Sequence, residues 1–88
     1  MYLHLGQNIV VPEASVIGIF DMDKTTASHI TRAFLNRADK DGRITAVTDE
    51  LPKAFVVCSV SSGVEIYLSQ LSSQTLLKRS EAMSYEKD

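Results

Sequence analysis

Asp21 and Asp23 are the residues of this chain whose types and spacing could most readily do chemistry. They stand one residue apart at the end of an apolar run, "VIGIFDMDKTT", with Thr25 two positions on. A carboxylate nucleophile beside a second carboxylate able to give and take a proton suits phosphoryl transfer. Such a reaction also needs a lysine to steady the transferred charge and further acids to hold magnesium.

The segment "IFDMDKT" resembles, locally, the motif of haloacid-dehalogenase-type enzymes. The rest of that machinery has no room here. After Asp23 the chain can form one long helix and a few strands, not a large parallel sheet. The later acid pairs, Asp39/Asp41 and Asp49/Glu50, bound "KDGR" and a turn instead of ending an apolar strand. Asp21 and Asp23 are better read as residues that precede and cap a helix, where the backbone N–H groups and the helix dipole favour carboxylates. No catalytic residue, metal, cofactor or small-molecule substrate is therefore expected.

The remaining reactive side chains point the same way. His4 alternates with apolar neighbours in "YLHL" and His29 falls on a polar helix face, with no second ligand at metal spacing. Cys58, the one cysteine, lies in "AFVVCSV" and reads as a buried small hydrophobe. Tyr67 in "VEIYLSQ" reads as strand packing.

The elements that carry these residues follow from hydropathy and punctuation. "YLHL" and "NIVV" are short extended segments flanking a turn at Gly6-Gln7, and Pro12 punctuates before the next run. "SVIGIF" is a buried strand whose Gly18 marks a close approach to the backbone. From Thr25 to about Lys40 the period becomes helical: Ala27, Ile30, Phe34 and Ala38 form an apolar stripe opposite His29, Arg32, Asn36 and Lys40. Thr25 or Thr26 can cap its start, and Gly42 suits its left-handed end. "RITAVT" resumes as a strand and "DELPK" as a loop. "AFVVCSV", "SSG" and "VEIYLSQL" make a hairpin, and "SSQTLLKR" makes a short helix capped by Ser72 or Ser73. The expected fold is α+β: a small, mostly antiparallel sheet with one long helix and a short C-terminal helix. Residues 1–79 are expected to form a single domain and residues 80–88 an acidic mobile tail.

Charge narrows the partners. The chain of 88 residues carries a formal net charge of −2, and the basic and acidic residues of positions 1–79 balance, so the excess acid lies in "SEAMSYEKD". A neutral body gives little general attraction for nucleic acid, which draws most of its affinity from neutralised phosphates. Any contact with DNA must come from a local group of cations: Arg32, Arg37, Lys40, Arg43 and Lys53 are the candidates, binding phosphates without reading bases. Leu51-Pro52, an apolar step in an otherwise charged loop, is the candidate subunit contact. A domain this small hides a limited share of its surface, which favours oligomerisation. No apolar run reaches the length of a membrane span, and "MYLHLGQNIVV" lacks a basic leader, so a cytoplasmic location is expected.

A wider likeness runs from residue 1 to about 79. "MYLHLGQNIVVP", "VIGIFD", "TTASHITRAFL", "LPKAFVV" and "IYLSQLSSQTLLKR", in this order and spacing, resemble the extracellular matrix regulator RemB family of Firmicutes, sister to the biofilm regulator RemA. The resemblance implies a non-enzymatic regulator of matrix and biofilm genes that works as a homo-oligomer. In the sister family it implies DNA-binding transcription regulation by closed rings, through an adjacent arginine pair in the loop after the strand that follows the long helix. In this chain that pair falls on Glu50 and Leu51, while a following arginine matches Lys53 and Arg32 matches a basic helix position. The departure at Glu50 and Leu51 leaves open a second reading, an oligomeric protein-interaction module without DNA contact.

Overall fold

The computed structural model describes the backbone of residues 1–25 and 27–87, and their side chains as far as Ser80 except that of Thr25. β1 (Tyr2–Gly6) and β2 (Ile9–Pro12) form an antiparallel two-stranded ribbon. Its turn uses left-handed backbone at Gly6, φ 117°, and Gln7, φ 50°, as the sequence led one to expect. Pro12 is the last residue of β2 and so stands before the next strand as expected, at a position where its missing N–H costs no ladder bond in the interior of a sheet. A short 3-10 turn at Glu13–Ser15 then leads into β3 (Val16–Asp21).

The main sheet has the order β3-β5-β6-β4, with β4 at Ile44–Ala46, β5 at Ala54–Val60 and β6 at Gly63–Ser69. β5 pairs antiparallel with β3 and with β6, and β4 alone runs parallel to its neighbour. The fold is thus mixed, with strands dominating and the sheet mostly antiparallel. β5 is the central strand. Its unbroken apolar run arises because both faces are covered: Ala54, Val56 and Cys58 look one way, Phe55 and Val57 the other, and all five are buried.

Each face has its own core. On one side Leu3, Leu5 and Val11 of the ribbon, Val47, and Leu76 of the C-terminal helix pack over Ala54, Val56 and Cys58. Ser69, fully buried, ties these layers together: its hydroxyl donates to the Leu5 carbonyl and accepts from the Leu71 N–H at 3.1 Å. On the other side Ala38 and Leu35 pack over Phe55, Val57 and Ile66.

The long helix differs from the expectation at its start. Instead of one element from Thr25, there is a single turn, α1 (Met22–Thr25), and then α2 (His29–Lys40), whose N-cap is Ser28 with no side-chain capping bond. Thr25 closes α1, and Thr26, the other expected cap, lies outside the described residues. The far end agrees with the sequence: the Gly42 N–H bonds the Asp39 carbonyl, the Arg43 N–H bonds the Ala38 carbonyl, and Gly42 supplies the left-handed φ of 70°. The C-terminal helix, α3 (Ser73–Lys87), opens on Ser72, whose hydroxyl accepts the Thr75 N–H at 3.1 Å. It runs on past Arg79, where the sequence reading ended it. Glu81, Ala82 and Met83 are good helix formers, and no Gly or Pro interrupts them. Asp88 lies outside the described residues.

Candidate functional site

The first of the acid pair serves the backbone. Asp21 ends β3, and its Oδ1 accepts the Lys24 N–H at 2.8 Å. That is an N-cap bond to the first turn of α1. Asp23 is exposed within that turn. Among the described residues no three His, Cys, Asp or Glu side chains gather as metal ligands. His4 and His29 are both exposed. Cys58 is buried as expected, and burial raises its thiol pKa above the ordinary value. Tyr67 packs against the core beneath the ribbon, as a strand aromatic commonly does.

The five candidate cations do not form one patch. Arg43 precedes β4 and reaches the β5–β6 turn, donating to the Ser62 hydroxyl and to the Ser62 carbonyl, each at 2.8 Å. Lys53 stands at the opposite end of the sheet, where its N–H bonds the Ser69 carbonyl at 2.8 Å and its carbonyl accepts the Met22 N–H at 2.9 Å. The length of β5 separates them, and at ~3.3 Å per residue its seven residues span ~20 Å. Arg37 and Lys40 lie in the last turn of α2. Arg37 is 3.6 Å from Asp41 in an exposed ion pair one helical turn apart. Arg32 is exposed on the same helix. Arg43 and Arg37 are therefore already engaged within the chain; the Arg37–Asp41 spacing of four is legible on a helix, whereas the reach of Arg43 to Ser62 follows from strand order alone.

The loop carrying Leu51 and Pro52 is held at both ends. The Val47 N–H bonds the Leu68 carbonyl at 2.9 Å, and Lys53 is anchored as above. Between these anchors the Glu50 N–H bonds the Thr48 hydroxyl at 3.1 Å. Leu51 does not fold back over the sheet; its side chain is 88% exposed. Pro52 is partly covered.

The sequence reading missed a second apolar surface. Of the apolar stripe Ala27, Ile30, Phe34 and Ala38, only Ala38 is buried. The residues α2 turns toward the sheet are Leu35 and Ala38, with Thr31 partly covered. The helix is rotated so that the other flank of its apolar arc faces out. Ile30 is 78% exposed, and Phe34 is exposed beside it. Together with Ile17 and Phe20 of β3 they line a groove whose base is Phe55 and Val57. Phe20 lies flat over Gly18, where an added Cβ would stand 2.7 Å from its ring. It stacks on Phe55 with ring centroids 5.1 Å apart. This is the close approach that Gly18 signalled. Among the described residues no ionisable side chain lines the groove.

Two comparisons bear on this chain. The profile of the RemA-like family, described as extracellular matrix regulatory protein A-like, matches residues 2–79. Extracellular matrix regulatory protein B of Bacillus subtilis (strain 168) is 37% identical over 83 residues, covering 94% of each chain. Among the described residues no helix is long and apolar enough to cross a membrane.

Proposed function

The chain belongs to the RemA-like family of extracellular matrix regulatory proteins, and from that premise we propose a regulator of matrix gene expression that acts as a homo-oligomer and holds DNA by its phosphate backbone. The observation that carries this reading is the match of family and relative along almost the whole chain. Both are named for regulation, and neither for a reaction. Lys40 and Lys53 are the cations for which DNA contact conflicts with no hydrogen bond or ion pair described above. Because they lie far apart on one copy, an extended basic surface needs several copies side by side, a closed ring being one form of such an assembly.

The test is a mobility-shift titration on AT-rich promoter DNA over a range of salt. Phosphate contacts predict an affinity that falls with salt, and Lys53→Ala is expected to weaken binding to all sequences and to reduce the log–log salt slope by about one. Binding indifferent to salt, or none at low salt, would exclude the DNA arm.

A second reading is favoured by Glu50 and Leu51 and by the split of the cations between two ends of the sheet. It is an oligomeric protein-interaction module that controls the same genes without touching DNA. In either reading there is no reaction centre. Wild-type protein is expected to release no phosphate from p-nitrophenyl phosphate with magnesium, and a rate abolished by Asp21→Asn would overturn that.

A further inference from the structure

We propose that the cleft between the N-terminal ribbon and α3 binds a small organic anion, a molecule with a planar ring and a phosphate or carboxylate group. None of the five candidate DNA-binding cations lines this cleft, so the site is independent of the DNA reading.

The cleft has a volume of about 590 Å³, within the range of about 300–1,000 Å³ in which small-molecule sites fall. Tyr2, His4, Gly6 and Gln7 of the ribbon line one side, Leu71 and Arg79 the other. The two sides are tied together. Arg79 donates from Nη1 to the His4 carbonyl at 3.3 Å, and Leu76, three residues earlier on α3, shares a core with Leu3 and Leu5 of β1. The ribbon turn is fixed as well. Gly6 is held at φ 117°, a conformation open to glycine, with the Gln70 amide packed so close that an added Cβ would stand 2.9 Å from its Oε1. The walls are thus in place before a ligand arrives, which spares the cost of ordering them.

The lining selects the ligand. The one hydrogen bond of the Arg79 guanidinium within the described residues is the long contact to His4, and its remaining N–H groups form the planar fork that fits phosphate or carboxylate. Among the described residues no carboxylate lines the cleft to compete for that fork. His4 and Gln7 add hydrogen-bonding groups on the facing wall. Tyr2 supplies the apolar half: its side chain is 62% exposed and, with Leu71, offers a planar ring a face to stack on. A bare inorganic ion would leave Tyr2 and Leu71 wet. An uncharged ring would leave Arg79 without an acceptor. A molecule that carries both groups uses the whole lining.

An amide NMR titration of the full chain tests this, with AMP as the phosphate probe and benzoate as the carboxylate probe. One or both are expected to shift the amides of Tyr2, His4, Gly6, Gln7, Leu71 and Arg79 at millimolar concentration or below, and the tighter of the two identifies the anion. Arg79 and Tyr2 are exposed, so their alanine variants are expected to fold, which the spectra themselves check. Arg79→Ala should raise the dissociation constant about tenfold or more, and Tyr2→Ala about threefold. Lys53→Ala should leave it unchanged. Adenosine and inorganic phosphate against AMP, and acetate against benzoate, each lack part of the chemistry and should bind about tenfold more weakly. No shift from either probe, or shifts away from these residues, overturns the site. An affinity that Arg79→Ala does not move also overturns it. Inorganic phosphate or acetate binding as tightly as the ring-bearing probe overturns it too, leaving only an adventitious ion.

Discussion

Asp21 shows how one side chain can mimic a catalytic signature while serving the backbone. Its carboxylate closes the first turn of α1 by accepting the Lys24 N–H. Replacing it with Ala should cost about 1 kcal/mol, while Asn, which keeps the capping oxygen, should cost little. Urea unfolding of the two variants measures the difference, and equal losses would mean that charge matters more than the cap. Ser69 offers a sharper test. Its buried hydroxyl serves the Leu5 carbonyl and the Leu71 N–H at once. Ser69→Ala leaves both without that partner and should cost about 1–3 kcal/mol. Cys58 is the converse case, a reactive atom made inert. With the thiol buried and its pKa raised by desolvation, it should resist a disulfide reagent in the folded protein and react fully in denaturant. Rapid native labelling would show that β5 opens.

At the scale of elements, β5 and α3 divide the work of stability. β5 is buried on both faces, and α3 is fixed to the ribbon side of the sheet through Leu76. Leu76→Ala should destabilise by about 2–5 kcal/mol, seen as a lowered urea midpoint with an unchanged slope. A reduced slope would show instead that α3 had detached while the sheet persisted. The Arg43 side chain bridges the start of β4 to the β5–β6 turn. Arg43→Ala is thus expected to lower stability by about 0.5–1.5 kcal/mol before any effect on DNA can be read from it. For that reason Lys53 is the cleaner probe of phosphate contact.

Across the whole molecule the organising fact is a sheet with unequal covers. One face is closed by the ribbon, α3 and the Val47 segment. The other is closed by α2 only in part, leaving Ile17, Phe20, Ile30 and Phe34 exposed. Two kinds of surface are then available to an assembly, the apolar groove and the loop that presents Leu51. Of the cations, Lys53 closes the loop that presents Leu51, and Arg32 stands on α2 next to Thr31 of the groove, while Lys40 and Arg43 lie at the other end of the sheet.

The amino-acid sequence by itself determined the element types and much of the punctuation. The apolar runs that make strands of β3 and β5, the left-handed Gly42, a cap at Ser72 or Ser73 and the close approach at Gly18 are local matters, set by side-chain shape and backbone freedom, whereas β3, read as a buried strand, is an edge strand with Ile17 and Phe20 exposed. It also marked the acid pair as the start of a helix, where Asp21 caps α1. What it left open was rotation and register. Period alone shows that α2 has an apolar arc, but Ile30, Phe34, Leu35 and Ala38 all lie within it, and the choice of which flank meets the sheet belongs to the sheet. Likewise the distance between Arg43 and Lys53 follows from strand order, since a central strand places its two ends, and whatever adjoins them, on opposite sides of the fold. Those decisions are tertiary because they depend on how separate elements share one core, and no short stretch of chain carries that information.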